Sequence, residues 1–474
     1  MIDAVECLDR KGNPLAAIAF RRRLFQLAPG DSQNLFQLST ALSTIGEIDE
    51  AIVCCRKFLE KELSSTPAIA NYLMYLNYSD RLLPSEVSSE HFRLGMRYFS
   101  PSVNSSPLST KKSNQKIRIG FLSADFIAHP VGKIAIPIIA SLPRHSLEVI
   151  VLHDSVQKDN LTRRVEEACD GYQCVAGWTD DELSDHIRQK ELDVLVDLGG
   201  FTGGGNRPRV FANRAAQVQV SYLGYPFTSA FHTIDFRITD EVVDPPGFVE
   251  GLYGEQLAYI PGGHFAWRPY EESSRVVSRD SNSFQVLGCF NNPIKLSRSC
   301  LETWTNILRR VPKAVIVFKY GNRYRDAVVR DRILSIFSSR GVSPDRLRFQ
   351  HDSIPLFAHL QQMADVDLAL DSFPYQGTMT SLECLSVGTP ILAKAGRYYP
   401  HRSTSAMLEK IGMHELTTDS VEEYEEVAVQ LLNSMELLKE MRQLVRSQFY
   451  ASELVNVEGF ALRFDQMIQS IVYK

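Results

Sequence analysis

Apolar positions recur along this chain at two different spacings. Over roughly the first 80 residues they fall three and four apart, which predicts amphipathic helices, among them 31–44 and one beginning near Pro67 and running to Tyr78. Residues 100–115 (SPSVNSSPLSTKKSNQ) interrupt the pattern with Ser, Pro, Asn and Lys and almost no apolar side chains, the composition of a linker. Beyond it, short apolar runs alternate with amphipathic stretches. The runs 117–123, 148–153, 192–198 and 218–223 read as buried parallel strands, with a helix over 179–190 opened by a capping box of Thr179 and Glu182. After a break near 269–283 the alternation resumes. Strands are predicted at 284–290, 314–320, 347–350, 366–370 and 390–393, and helices at 300–310, 325–340 and 355–364. Two amphipathic helices, 421–449 and 454–473, close the chain and are expected to clasp the two halves. Alternation repeated twice predicts two doubly wound α/β domains, whose ligands lie beyond the carboxyl ends of the strands, here in one cleft.

The helical front carries a faint period. Gly12-Asn13-Pro14-Leu15-Ala16-Ala17-Ile18 is echoed 34 residues later by Gly46-Glu47-Ile48-Asp49-Glu50-Ala51-Ile52. That is the length of a tetratricopeptide repeat, with Ala17 and Ala51 as the small residues at which paired helices approach. An ordinary helical hairpin shows much the same pattern. Two or three such units make a stub rather than a long solenoid. The expected organisation is a helical region over 1–99, a linker over 100–115, and α/β domains over 116–275 and 276–474.

A length of 474 residues suits three domains, and 44% apolar with 23% charged residues excludes a disordered or fibrous chain. The 51 basic and 56 acidic residues leave a net charge of −5, so nothing calls for nucleic acid or an anionic membrane as partner. The apolar stretch 131–142 is broken by Lys133 and is too short to span a bilayer. Asp3 and Glu6 stand where a signal peptide has basic and apolar residues, so a cytoplasmic location is expected. The eight cysteines form no C-x-x-C pair and read as reduced, buried small hydrophobes.

The strongest local chemistry is in LDSFPYQGTMTSLE (370–383), where a strand ends at Asp371 and a helix starts near Thr378. A helix N-terminus presents free N–H groups and a positive dipole end to a phosphate. Thr378, Thr380 and Ser381 add hydroxyls, and Glu383, one turn in, is placed for the hydroxyls of a ribose. A plain N-capped helix has the same local signature. Lys295 follows a strand directly, where a lysine neutralises a diphosphate leaving group, unless it is simply a solvated surface charge. His129, also just after a strand, is a candidate general base or substrate contact, or a structural loop histidine. The glycines of LGGFTGGG (198–205) permit close backbone approach, and Pro226 would fix the loop Leu223-Gly224-Tyr225-Pro226. His351 and Asp352 are adjacent but lack a third partner at metal-ligand spacing.

Taken together, the motifs resemble the O-linked N-acetylglucosamine transferases and their SPINDLY relatives, from about Ile117 to the C-terminus. Five blocks occur in that family's order: SADFIAHPVGK (123–133); VDLGGFTGG (196–204); QVQVSYLGYPFTS (217–229) with DFRITDEVVDPP (235–246); CFNNPIK (289–295); and ALDSFPYQGTMTSLECLSVGTP (369–390). The resemblance implies a GT-B glycosyltransferase fold with two Rossmann-like domains after a helical repeat segment. It further implies inverting transfer of a sugar from a nucleotide diphosphate onto Ser or Thr of proteins, without a metal or other cofactor. By motif, Lys295 would stabilise the departing diphosphate. Gly377, Thr378, Met379 and Thr380 would hold the phosphates with help from Asn292, while Glu383 and His359 would contact the ribose and base region. His129 matches the histidine before proline near the acceptor. Gly200, Phe201, Thr202, Gly224, Tyr225, Pro226 and Arg402 match the sugar and acceptor pocket.

Two positions depart from the family. Met379 interrupts a run of threonines in the phosphate block, so one contact there must come from backbone. Phe201 stands where Tyr or His is usual, which removes a polar group near the acceptor. His129-Pro130 and Arg402 with Ser405 look more like the GlcNAc branch, so UDP-GlcNAc is the expected donor, with GDP-fucose the alternative. An inactive protein-binding scaffold, or an epimerase or hydrolase of nucleotide sugars, are readings from other classes.

Overall fold

The computed structural model describes residues 15–98, 116–202, 207–277, 285–351 and 354–473. The predicted linker at 100–115, Gly12 to Pro14, Gly203 to Gly205 and Asp352 lie outside the described residues. The chain divides into two compact units. The first holds Leu83–Arg268, Arg397–Tyr399 and the chain from Ser452 onward; the second holds the chain up to Leu82, Pro269–Gly396 and Pro400–Ala451.

In the first unit, strands β1 (Ile117–Ser123), β2 (Leu147–His153), β3 (Gly171–Cys174), β4 (Val194–Asp197), β5 (Val218–Ser221), β6 (Phe236–Thr239) and β7 (Gln256–Tyr259) form one sheet in the order β3-β2-β1-β4-β5-β6-β7. Every pair is parallel. The apolar runs that predicted β1, β2, β4 and β5 are buried on both faces. β3 and β7, which the pattern did not show, are half-buried outer strands without an apolar run. β6 escaped because Arg237 breaks its pattern; its guanidinium is buried and donates to Tyr225 O and Phe227 O, both at 3.0 Å. The Asp180–Gln189 helix starts with the expected capping box: Glu182 Oε2 accepts from Thr179 N at 2.8 Å and Thr179 Oγ1 from Glu182 N at 3.2 Å. The final helix, Val457–Val472, packs on this sheet, with Phe464 stacked on Phe121.

The helix Pro84–Tyr98 belongs to this unit as well, where Ser88 Oγ donates to Leu252 O at 2.9 Å. The unit boundary thus falls between Leu82 and Leu83, inside the segment that composition groups as one helical region.

The second unit carries β8 (Val286–Cys289), β9 (Val315–Lys319), β10 (Leu347–Gln350), β11 (Leu368–Leu370), β12 (Ile391–Lys394) and β13 (Thr417–Thr418), in the order β10-β9-β8-β11-β12-β13, again all parallel. Both sheets therefore have the doubly wound order, reversing direction between β1 and β4 in one and between β8 and β11 in the other. The same unit holds the helices Ile18–Leu27, Ser32–Ile45, Ile48–Leu59 and Thr66–Tyr78. Asp31 caps the second of them by accepting from Asn34 N at 3.0 Å, and Gly46 ends it at φ 86°. Ala17 and Ala51 are fully buried. The single helix predicted over 421–449 is two, Val421–Asn433 and Met435–Ala451, because Ser434 leaves the helical conformation between them. Among the described residues no helix is long and apolar enough to cross a membrane. All seven described cysteines are free, five of them buried.

Candidate active site

The reversal point of the second sheet lies between β8 and β11, and the candidate residues gather just beyond these two strand ends. Asn291 follows β8 and Asp371 follows β11; Asn291 Nδ2 donates to Asp371 Oδ1 at 2.8 Å. Asp371 is fully buried and also accepts from Ser372 N (3.0 Å) and Gly377 N (2.9 Å). It is a latch that folds the loop 371–377 back onto the sheet. Burial pushes its carboxyl pKa up, and hydrogen bonds from Thr404, Asn291 and Gly377 oppose the rise. Gly377 leaves no room for a side chain, since a Cβ there would lie 2.4 Å from Ser381 Oγ and 3.0 Å from Asp371 Oδ1.

Lys295 sits in the short turn Pro293–Lys295, capped by Asn292 Oδ1, which accepts from Ile294 N at 3.3 Å. Its Nζ donates to Gln376 O at 2.8 Å and lies 4.5 Å from the centre of the Tyr375 ring. Burial lowers its pKa to about 8, with Asp371 pulling the other way. Of the two adjacent asparagines, Asn291 is the one joined to the phosphate loop, where its Oδ1 accepts from Thr380 Oγ1 at 3.4 Å. Asn292 supports the lysine turn.

Thr378 is the N-cap of the helix Met379–Ser386, and no side chain caps it. Met379 is buried, so its side chain is spent on packing. A second helix, Ser403–Lys410, follows Arg402, which does not cap it; Gln376 Oε1 reaches over instead and accepts from Ser405 N at 3.0 Å. The two starts are joined: Thr378 Oγ1 lies 3.2 Å from Ser403 Oγ, and Ser381 Oγ lies 2.7 Å from Thr404 Oγ1. Gln376, fully buried, ties the loop to both neighbours through Nε2 to Lys394 O and to Ser405 Oγ, each at 2.7 Å. Two positive helix ends and one ammonium thus lie around the loop 376–378, a charge pattern that suits two linked phosphates.

Beyond it, Glu383 is buried, with Oε2 3.3 Å from His359 Nε2 and Oε1 3.3 Å from the Tyr270 hydroxyl. His359 Nδ1 lies 2.9 Å from Nζ of Lys319, the last residue of β9. Burial lowers the Lys319 pKa to about 8, against the pull of Glu383. An ammonium donating to Nδ1 leaves Nε2 as the protonated nitrogen facing Glu383.

The remaining candidates lie in the first unit, with one exception. His129 is the N-cap of the helix Pro130–Ser141, half-exposed, with Nδ1 3.3 Å from Asp125 Oδ2. Burial lowers its pKa and so favours the neutral imidazole, while the Asp125 carboxylate pulls the other way. Asp197, at the end of β4, accepts from Gly199 N and Gly200 N, each at 2.9 Å, and burial raises its pKa to about 6. Phe201 and Tyr225 are interior side chains: Phe201 packs edge-on against Tyr225 and Phe231, and the Tyr225 hydroxyl lies 2.6 Å from His91 Nε2. Pro226 is buried too, leaving Gly200, Thr202 and Gly224 as the half-buried members of this group. Gly200, at φ 55°, packs against Tyr225, and a Cβ on Gly224 would lie 1.9 Å from Leu198 O. Gly224→Ala is therefore expected to cost about 1–3 kcal/mol, visible as a melting temperature lowered by several degrees in a thermal scan. The exception is Arg402, which belongs to the second unit beside Thr378 and donates to Gly396 O at 2.9 Å.

Sequence reasoning named Lys295, Thr378, Thr380, Glu383 and His359 but not Asn291, Asp371, Gln376, Lys319 or the second helix start. Asp371 was visible as the polar residue ending an apolar strand six positions before a glycine. Nothing local marks Lys319, whose strand reads as ordinary core. Among the described residues no group of three or more His, Cys, Asp or Glu side chains is arranged to hold a metal ion.

The sequence profile of glycosyl transferase family 41 matches residues 100–269 and 273–464. The chain is 29% identical over 428 residues to a probable UDP-N-acetylglucosamine–peptide N-acetylglucosaminyltransferase SPINDLY of Solanum lycopersicum, covering 87% of this chain and 45% of that protein. It is 27% identical over 361 residues to the similarly described SEC of Arabidopsis thaliana, covering 73% and 36%. The chain spans less than half the length of these curated relatives. Among solved structures, an O-GlcNAc transferase mutant of Thermobaculum terrenum superposes with a TM-score of 0.89 at 27% identity, over 98% of this chain and 88% of that one. That likeness and the two doubly wound parallel sheets make the fold GT-B.

Proposed function

The chain belongs to glycosyl transferase family 41, and from that membership we propose that it is a protein O-glycosyltransferase using a nucleotide-sugar donor and protein acceptors. The observation that carries the reading is the Lys295 ammonium beside two helix starts, the one after Thr378 without a side-chain cap, at the reversal point of the second sheet. In the proposed reaction a Ser or Thr hydroxyl attacks the anomeric carbon from the face opposite the leaving group, so the configuration inverts. The bond from that carbon to the diphosphate oxygen breaks, and its electron pair leaves with the diphosphate. Lys295 and the helix ends at Thr378 and Ser403 meet the charge that develops there. Glu383 and His359 are assigned to the ribose and base. The positive charge comes from the lysine and helix ends, so the reaction as proposed uses no metal.

UDP-GlcNAc is the proposed donor, supported by the description of the curated relatives as N-acetylglucosaminyltransferases. The seven described cysteines, all free, support a reducing, cytoplasmic location. The test is incubation of the purified protein in a lysate with UDP-GlcNAc, GDP-fucose or UDP-glucose, followed by intact and peptide mass measurement. A GlcNAc increment on Ser or Thr with UDP-GlcNAc alone is expected. A deoxyhexose increment with GDP-fucose would reassign the donor. Sugar released with no labelled protein would point to a hydrolase or epimerase, and no nucleotide binding at all to a scaffold.

A further inference from the structure

Three positions around the end of the Thr66–Tyr78 helix each meet a different segment around the second sheet, all within one unit. Asn77 O accepts from His401 Nε2 at 2.9 Å, just ahead of the helix start at Arg402. The Tyr78 ring packs on Tyr375, centroids 4.5 Å apart and planes 38° from parallel. Asp80 Oδ2 accepts from Ser299 Oγ at 2.6 Å. An earlier turn of the same helical segment reaches the lysine turn itself. Arg332 donates to Gly46 O (2.9 Å) and Glu47 Oε1 (2.7 Å), and on its other side to Leu296 O (3.1 Å). A Cβ on Gly46 would lie 2.7 Å from Pro293 O. The residue that Tyr78 touches is the same Tyr375 whose ring lies 4.5 Å from Lys295 Nζ.

We propose that Tyr78 is a positioning residue for Lys295: its ring fixes Tyr375, and Tyr375 with Gln376 O fixes the ammonium, so the helical segment is a structural part of the phosphate site. The proposal rests on the reading that Lys295 meets the donor diphosphate. A lysine has a long flexible stem, and an ammonium placed in advance by an aromatic face and a carbonyl loses that freedom on folding rather than on binding. Tyr78 is buried, which keeps water from this side of Tyr375. The groups facing Lys295 are Asp371 beyond β11, Cys289 at the end of β8, and Tyr375 in the loop between. The Cys289 thiol is pushed up to about 12 by burial and stays neutral, so Asp371 is the charge among them. With the Tyr78 ring gone, water reaches the ammonium and its midpoint rises from about 8 toward that of an ordinary lysine.

The test uses the full chain without nucleotide, acetylated with acetic anhydride over a pH series, with the Lys295 peptide read by mass. Wild type and Tyr78→Phe, which keeps the ring, are expected to share a midpoint, and Tyr78→Ala to move it up by about one unit. Calorimetric titration with UDP and GDP is expected to show about tenfold weaker binding for Tyr78→Ala and little change for Tyr78→Phe. A wild-type midpoint and affinity in Tyr78→Ala, with only a lower melting temperature, would overturn the proposal. If the alanine variant does not fold, Tyr78→Leu, which keeps apolar bulk but not the ring, is judged by the same two readouts. If no form of the protein binds either nucleotide, the functional reading fails, and the acetylation midpoint still decides the positioning.

Discussion

Lys295→Ala is expected to lower turnover by about two to three orders of magnitude while leaving the protein folded. The ammonium reaches the phosphate loop through Gln376 O. The helix ends remain in the variant, so binding of the nucleotide should weaken less than turnover, because the leaving group's charge grows as the bond breaks. The fold should survive, since burying an ammonium opposes folding and its removal relieves that cost. Steady-state rates and a thermal melt on one preparation check both halves. Turnover at the wild-type level would remove Lys295 from the chemistry. The same lysine sets a pH limit. Below about pH 8 the ammonium is charged and nucleotide affinity is flat; above it the proton is lost and affinity falls. A bound diphosphate holds the proton on, so the alkaline limb of kcat should lie at higher pH than that of kcat/KM. Lys319, also held near 8, contributes to the limb that remains in the Lys295 variant.

Asp371→Ala is expected to give the largest loss of stability in this site, about 3 kcal/mol, since it strands buried donors. Ser372 N, Gly377 N and Asn291 Nδ2 would all lose their acceptor. The loop that carries Gln376, Gly377 and Thr378 would come off the sheet, so nucleotide binding should fail together with stability. Asp371→Asn keeps one carbonyl oxygen and should cost less than half as much. Urea unfolding and UDP titration on both variants separate the two effects. An alanine variant with wild-type unfolding and affinity would show that the carboxylate is no latch.

How much of this was legible in advance varies residue by residue. Strands β1, β2, β4, β5, β8, β9, β11 and β12 are largely apolar runs because the inner strands of a parallel sheet are covered on both faces, so each announces itself locally. β3, β7 and β13 are short, less buried strands, and β6 carries a buried arginine; no local pattern separates them from loop. The capping box at Thr179 was readable because both partners lie within four residues. The break at Ser434 was not, because helical periodicity continues on either side of it.

The site divides along the same line. Local sequence determined the strand-to-helix turns at 289–295 and 371–379, the lysine after one strand and the hydroxyls at the start of one helix, since each is a matter of neighbours in the chain. It also determined the family, through motifs in a fixed order. Tertiary structure alone decided that Asp371 and Asn291, 80 residues apart, share a hydrogen bond, and that the helix starts at Thr378 and Arg402 lie together. It alone placed Lys319 against His359 and Tyr78 against Tyr375. These contacts depend on strand order, in which β8 and β11 become neighbours only after two crossovers have packed outside them. Pairing energies of that kind are written in no single stretch of chain, and they turn a lysine and a helix end into one charged cradle.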